Sequence, residues 1–121
     1  MGDKYVREIP LTELIPVNDL EIVNGDFSSN EYQMGPYEFN IRVNSTLNAD
    51  TVVYLPPLER TIGGIFSILI VALDAENKLT VKKHPDDIVG VYTDTDVTAA
   101  DDFQLLLNTG TKWRVINQCV T

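Results

Sequence analysis

Residues 51–73 read TVVYLPPLERTIGGIFSILIVAL, and the way this stretch divides decides the fold. It holds a Pro-Pro pair, a Gly-Gly pair and a closing run, residues 65–73, in which Ser67 is the one polar residue. Arg60 and Asp74 flank only 13 residues, whereas a helix needs about 20 apolar residues to cross a bilayer, so a membrane span is excluded. Ile65, Ile68, Ile70 and Val71 are β-branched, and the run is bounded by Gly64 and the turn sequence DAENK. That argues for a strand covered on both faces. Residues 51–55 form a second strand, stopped by Pro56 and Pro57, neither of which can donate to a ladder. Gly63 and Gly64 give the backbone its freedom for a turn into the buried strand; no phosphate-loop frame surrounds them.

Outward from this stretch the period stays at two. Phe39, Ile41 and Val43 alternate with Asn40 and Arg42, as in a half-buried strand. Residues 79–83 read as the return half of a hairpin with 65–73, Leu79 and Val81 facing inward. Short strands are expected at 88–92 and 96–98. Residues 103–108 and 112–117 form the clearest hairpin, joined across Thr109-Gly110-Thr111. The total is about seven or eight strands with no sequence repeat, an all-β class. The expected architecture is a small antiparallel β-sandwich or barrel over residues 37–121, preceded by an extended N-terminal arm, 1–36. Pro10, Pro16 and Pro36 break any long helix in that arm. Its apolar anchors, among them Leu11, Leu14, Ile15 and Leu20, are expected to dock on the body or on a partner.

A chain of 121 residues is one domain's worth. Its net charge of −9 is spread along its length, with ten acids and four bases in residues 1–60 and eight acids and five bases in 61–121. No Lys/Arg stripe offers a surface to phosphate backbones, so no nucleic-acid partner is expected. The N-terminus lacks the layout of a signal peptide. Cys119 is the single cysteine, which excludes an internal disulfide and a thiolate metal cluster.

Candidate chemistry is sparse. His84 is the single histidine and lies beside Pro85 in a polar turn, with no nucleophile elbow anywhere in the chain. Asp86-Asp87 and Asp101-Asp102 read as turn acids that cap backbone amides. A weak Ca²⁺ site at Asp94 and Asp96 is the one metal option. Asn44-Ser45-Thr46 fits a glycosylation sequon but has no secretory leader before it. No enzyme, cofactor or metal is expected.

The second half carries a pattern. TVVYLPPLERTIGGIFSI is followed by LTV, then DDIVGVYTDTDVT, then FQLLLNTGTKWRVIN. The order and spacing of Thr51, Val52, Leu55, Pro56, Ile62, Gly63, Phe66, Ile68, Asp86 or Asp87, Ile88, Gly90, Leu105, Leu107, Gly110, Trp113, Val115 and Ile116 resemble a β module of tailed-phage structural proteins. The resemblance covers about residues 50–117. Such modules occur in tail fibres, head fibres and capsid decoration (cement) proteins, are usually trimeric and have no enzymatic activity of their own. The resemblance implies a trimeric decoration protein on the capsid exterior, made in the host cytoplasm, with the major capsid protein and its own copies as partners. A tail-fibre or head-fibre receptor-binding module is the alternative. The residues assigned to partner or trimer contacts are Leu11, Leu14, Ile15, Leu20, Ile65, Ile68, Ile70 and Trp113.

Overall fold

The structure, a computed structural model, describes residues 19–120. Nine strands occur among them: β1 (Asp19–Val23), β2 (Glu31–Gln33), β3 (Asn40–Asn44), β4 (Thr51–Tyr54), β5 (Ile65–Ala72), β6 (Leu79–Lys82), β7 (Thr95–Val97), β8 (Phe103–Asn108) and β9 (Trp113–Cys119). Two short 3-10 turns, Asn24–Asp26 and Leu58–Arg60, are the described residues' helical content. The class is all-β, as expected. The strands form two mixed sheets, ordered β1-β3-β5-β8-β9 and β2-β4-β6-β7, and neither closes into a barrel.

The chain crosses from one sheet to the other after each of its first five strands. Strands that follow one another in sequence are therefore not neighbours, and each lies parallel to the strand two places before it: β3 along β1, β4 along β2, β5 along β3, β6 along β4. The chain winds as a coil. In its first turn Leu20 pairs with Ile41 and Glu31 with Val52. In the next, Ile41 pairs with Ile68 and Thr51 with Leu79, a wider spacing in sequence, because the longer connection 55–64 carries the prolines and a 3-10 turn. The last three strands are antiparallel: β7 on β6, and the hairpin β8–β9 on β5.

Four expectations are corrected. The pairing is not antiparallel throughout. Residues 65–73 and 79–83 do not form a hairpin, because both edges of β5 are occupied by β3 and β8, which sends β6 to the other sheet. Residues 88–92 are not a strand; Ile88 and Val89 project into solvent while Val91 and Tyr92 turn inward. Residues 19–36 of the expected arm belong to the body: they form β1 and β2 and bury Ile22 and Met34. The rest of that arm lies outside the described residues.

One hydrophobic cluster takes side chains from both sheets. Ile22, Ile41, Val43, Phe66, Ile68, Ile70, Leu106 and Trp113 come from the first sheet, and Val53, Leu79, Val81 and Val97 from the second. Phe66 sits among aromatics, 4.9 Å from Phe39 and edge-on to Trp113 at 5.4 Å between ring centroids, arrangements that add to simple burial. The Gly-Gly turn has a steric cause. Gly63 has φ +85°, and a Cβ on Gly64 would lie 2.8 Å from the Phe66 ring and 3.1 Å from the Thr61 carbonyl oxygen.

Where the first sheet passes to the second, side chains stitch one turn of the coil to the next. The Asn24 side chain donates to the Thr46 hydroxyl at 3.0 Å and accepts from the Thr46 N–H at 2.8 Å. The Asn77 amide donates to Asn48, and Asp50 accepts from the Lys78 N–H.

Candidate functional site

Asp96 accepts from the Thr80 hydroxyl at 2.8 Å and from the Lys78 ammonium at 3.1 Å, and these bonds hold its carboxyl below the usual carboxylate range. Its acceptor positions serve β6, its own sheet neighbour, and the residue just before it. Among the described residues no group of three His, Cys, Asp or Glu side chains could hold a metal ion. His84 Nδ1 accepts from the Asp86 N–H at 3.0 Å. Asp87 accepts from the Leu58 N–H, and the buried Asp102 accepts from the N–H groups of Thr98 and Ala99. These acids cap backbone, as their turn positions imply.

Two clefts stand out among the described residues. One is lined by Asp26, Glu31, Tyr32 and Tyr54 beside the tight turn 28–31. Ser28 and Glu31 exchange two backbone bonds there, and Ser29 and Asn30 have φ of +52° and +64°, the form of a two-residue reversal. Both tyrosines are already engaged, Tyr32 with Glu38 at 2.6 Å and Tyr54 with Glu31 at 3.2 Å. Burial, then the acidic partner, raises both phenols above the ordinary tyrosine value. The other cleft lies at the far end of the coil, between the connections 55–64 and 83–94 and the β8–β9 turn. The buried Asn108 assembles this end: its amide donates to the Leu58 carbonyl at 2.9 Å and the Thr61 hydroxyl at 2.6 Å, and its oxygen accepts from the Gly110 N–H. Ile62, Ile88 and Val89 project from it, 65%, 76% and 91% exposed.

The sheets' outer surfaces differ in kind. On the second sheet the outward residues include Glu31, Tyr54, Thr80, Lys82 and Asp96, a charged surface suited to water. On the first sheet the phase of β5 and β8 settles the outward set. Phe66, Ile68 and Ile70 are buried, so Ile65, Ser67 and Leu69 face out, with the exposed Val71 at a bulge after them. On β8, Gln104, Leu106 and Asn108 are buried, so Phe103, Leu105 and Leu107 face out. Register pairs them across the two strands as Ile65–Leu107, Ser67–Leu105 and Leu69–Phe103, so apolar pairs adjoin at both ends of the ladder, with Ser67 between them.

Of the contact residues expected from sequence, Ile65 stands on this face at 52% exposure and Leu20 is partly exposed on β1. Ile68, Ile70 and Trp113 are corrected: they fill the chain's own core and are not on its surface. Leu11, Leu14 and Ile15 lie outside the described residues. Leu69, Phe103, Leu105 and Leu107 were not among the expected contacts. The signal for them is alternation within apolar runs, readable once one buried residue fixes the phase.

No described helix is long and apolar enough to cross a membrane. No known family model matches the chain, and no curated protein matches it at a significant level.

Proposed function

We propose that the chain is a phage virion structural protein, a trimeric capsid decoration (cement) protein that binds the major capsid shell and stabilises it. The reading draws on the resemblance of residues 50–117 to tailed-phage β modules. The observation that carries it here is the body's two-sided construction, one sheet surface charged and the other apolar along β5 and β8, which suits a subunit built to assemble. In this reading the two sheets are the layers of a β-sandwich. The residues preceding β1, with Leu11, Leu14 and Ile15, form an extended arm that grips the shell or a neighbouring subunit. Several arms per assembly bind together, so modest contacts add to firm attachment.

The test is mass and stoichiometry. The purified chain is expected at three times the 13.5 kDa of one chain, and in purified virions at hundreds of copies, on the order of the capsid subunits themselves. A handful of copies located at the tail would overturn the capsid assignment. It would favour the second reading, a tail-fibre or head-fibre receptor-binding tip, for which the projecting Ile62, Ile88 and Val89 are the observation. That reading expects adsorption of the purified chain to host cells.

A further inference from the structure

We propose that the outward face of β5 and β8 is a self-association surface, covered in solution by another copy of this chain. The inference takes self-association from the reading above and assigns it to particular residues.

The phase of β8 is the first argument. A strand with one face in the core and one in water puts its apolar side chains inward. In β8 the strand turns Phe103, Leu105 and Leu107 outward and keeps Gln104 and Asn108 inside, where both are hydrogen-bonded into the body. β5 repeats the pattern with Ile65 and Leu69 outward. Sequences place that much apolar surface outward where something covers it.

Charge identifies the cover. The chain carries 18 acids and a net charge of −9, so two copies repel over most of their surface. The outward positions of β3, β5, β8 and β9 carry no carboxylate: β3 contributes Asn40 and Arg42, and β9 contributes Arg114 and Asn117 beside the apolar pairs. Carboxylates border this set on the edge strand β1, where Asp19 and Glu21 hold register positions opposite Asn40 and Arg42 and Glu21 accepts from the Asn44 amide. The opposite sheet's outer face, with Glu31 and Asp96, lacks this property. A like-charged copy can approach closely where the acids are missing.

Size agrees. The four strands β3, β5, β8 and β9 at ~4.8 Å spacing and β5's length at ~3.3 Å per residue give a face of roughly 500 Å² in projection. That is comparable with the ~800 Å² of accessible surface each partner loses in a stable interface.

The test is solution mass on the full chain, wild type against the double variant Leu69→Lys, Leu105→Lys. Both side chains point out of the core, so the variant is expected to keep the wild-type circular dichroism spectrum and cooperative unfolding while falling to 13.5 kDa. Val52→Lys, on the outer face of the other sheet, is expected to leave the wild-type mass unchanged. A wild type with the mass of a single chain, or a folded double variant with the wild-type mass, overturns the proposal. Should the variant not fold, hydroxyl-radical footprinting of the wild type decides. Ile65 and Ile88 are 52% and 76% exposed in the single chain, so comparable oxidation of the two overturns the proposal. Oxidation of Ile65 several-fold below that of Ile88, in an oligomer, supports it; the same protection in a monomer overturns it, since the cover then comes from the same chain. A chain that associates through this face yet is absent from virions would overturn the virion role alone.

Discussion

The Tyr92 hydroxyl donates to the Gln104 side-chain oxygen at 2.6 Å, inside the core, and this pair ties the β6–β7 connection to the first sheet. Gln104 stands on β8 of the first sheet. Its amide reaches the Thr95 hydroxyl on β7 of the second at 3.1 Å and Gln118 on β9 at 2.8 Å. A buried polar group is stable when its bonds are made and costly when one partner is lost. Gln104→Ala is therefore expected to lower unfolding free energy by about 2–4 kcal/mol, combining a cavity with the loss of the bonds to Tyr92, Thr95 and Gln118, the tyrosine hydroxyl keeping Thr95 alone. Tyr92→Phe is expected to cost less, and the double variant less than the sum. Urea unfolding of the four proteins measures the coupling; strictly additive effects would show that the pair acts as two independent residues.

Asn108 plays the equivalent part at the far end of the coil. Asn108→Ala removes the partner of the Leu58 carbonyl, the Thr61 hydroxyl and the Gly110 N–H together. The expected loss is about 2–3 kcal/mol, with faster amide exchange at Gly110 and through residues 58–61. Unchanged exchange at those amides would refute the role given to the side chain.

Gly64→Ala tests the steric reading of the Gly-Gly turn. The added methyl meets the Phe66 ring and the Thr61 carbonyl, and the core must shift to admit it, at about 1–3 kcal/mol. Thermal unfolding should show the loss, and Gly64→Ala in a Phe66→Leu background should show less of it.

Alkaline pH should unfold the protein in part through Tyr32. Burial, the bond to Glu38 and the nearby acids push its phenol well above the ordinary value of 10.0. Below the unfolded value both states are protonated and the contribution is complete. Above it the unfolded chain ionises first and binds fewer protons, so stability falls as pH rises toward the folded value. Urea midpoints between about pH 8 and about pH 11 should decline, and Tyr32→Phe should decline less steeply. Equal slopes would remove Tyr32 from the explanation. Tyr54 and Tyr92 shift in the same direction, chiefly through burial.

Local structure was legible in the sequence where its cause was local. The β8–β9 hairpin could be read from two apolar runs around Gly110, whose φ of +96° needs glycine. The prolines and the Gly-Gly pair likewise mark the connection before β5. The coil was not legible, because its paired strands are separated by a whole intervening strand and two connections, and share no sequence repeat. A short turn between two apolar strands reads as a hairpin whether or not the sheet has an edge free for the second strand. The outward face was hidden by its own apolarity. Residues 65–73 read as covered on both sides, yet only Phe66, Ile68 and Ile70 are fully buried, and Ile65 and Val71 are exposed. In FQLLLN the larger apolar side chains mislead, since Gln104 and Asn108 hold the inner positions.

The coil's two ends differ in what they allow. At the stitched end the connections 24–30, 45–50 and 73–78 have nearly equal lengths, and Asn24, Asn48 and Asn77 join the loops in contact. At the other end the connection grows from 34–39 to 55–64 while the strands on either side stay parallel and paired. Length can thus be added there without moving the sheets. A foreign peptide grafted between Ile88 and Val89, exposed in the 83–94 connection at that end, would spare the bonds of Asn108 to Leu58 and Thr61, whereas a graft between Asn44 and Asp50 would have to break the asparagine seam.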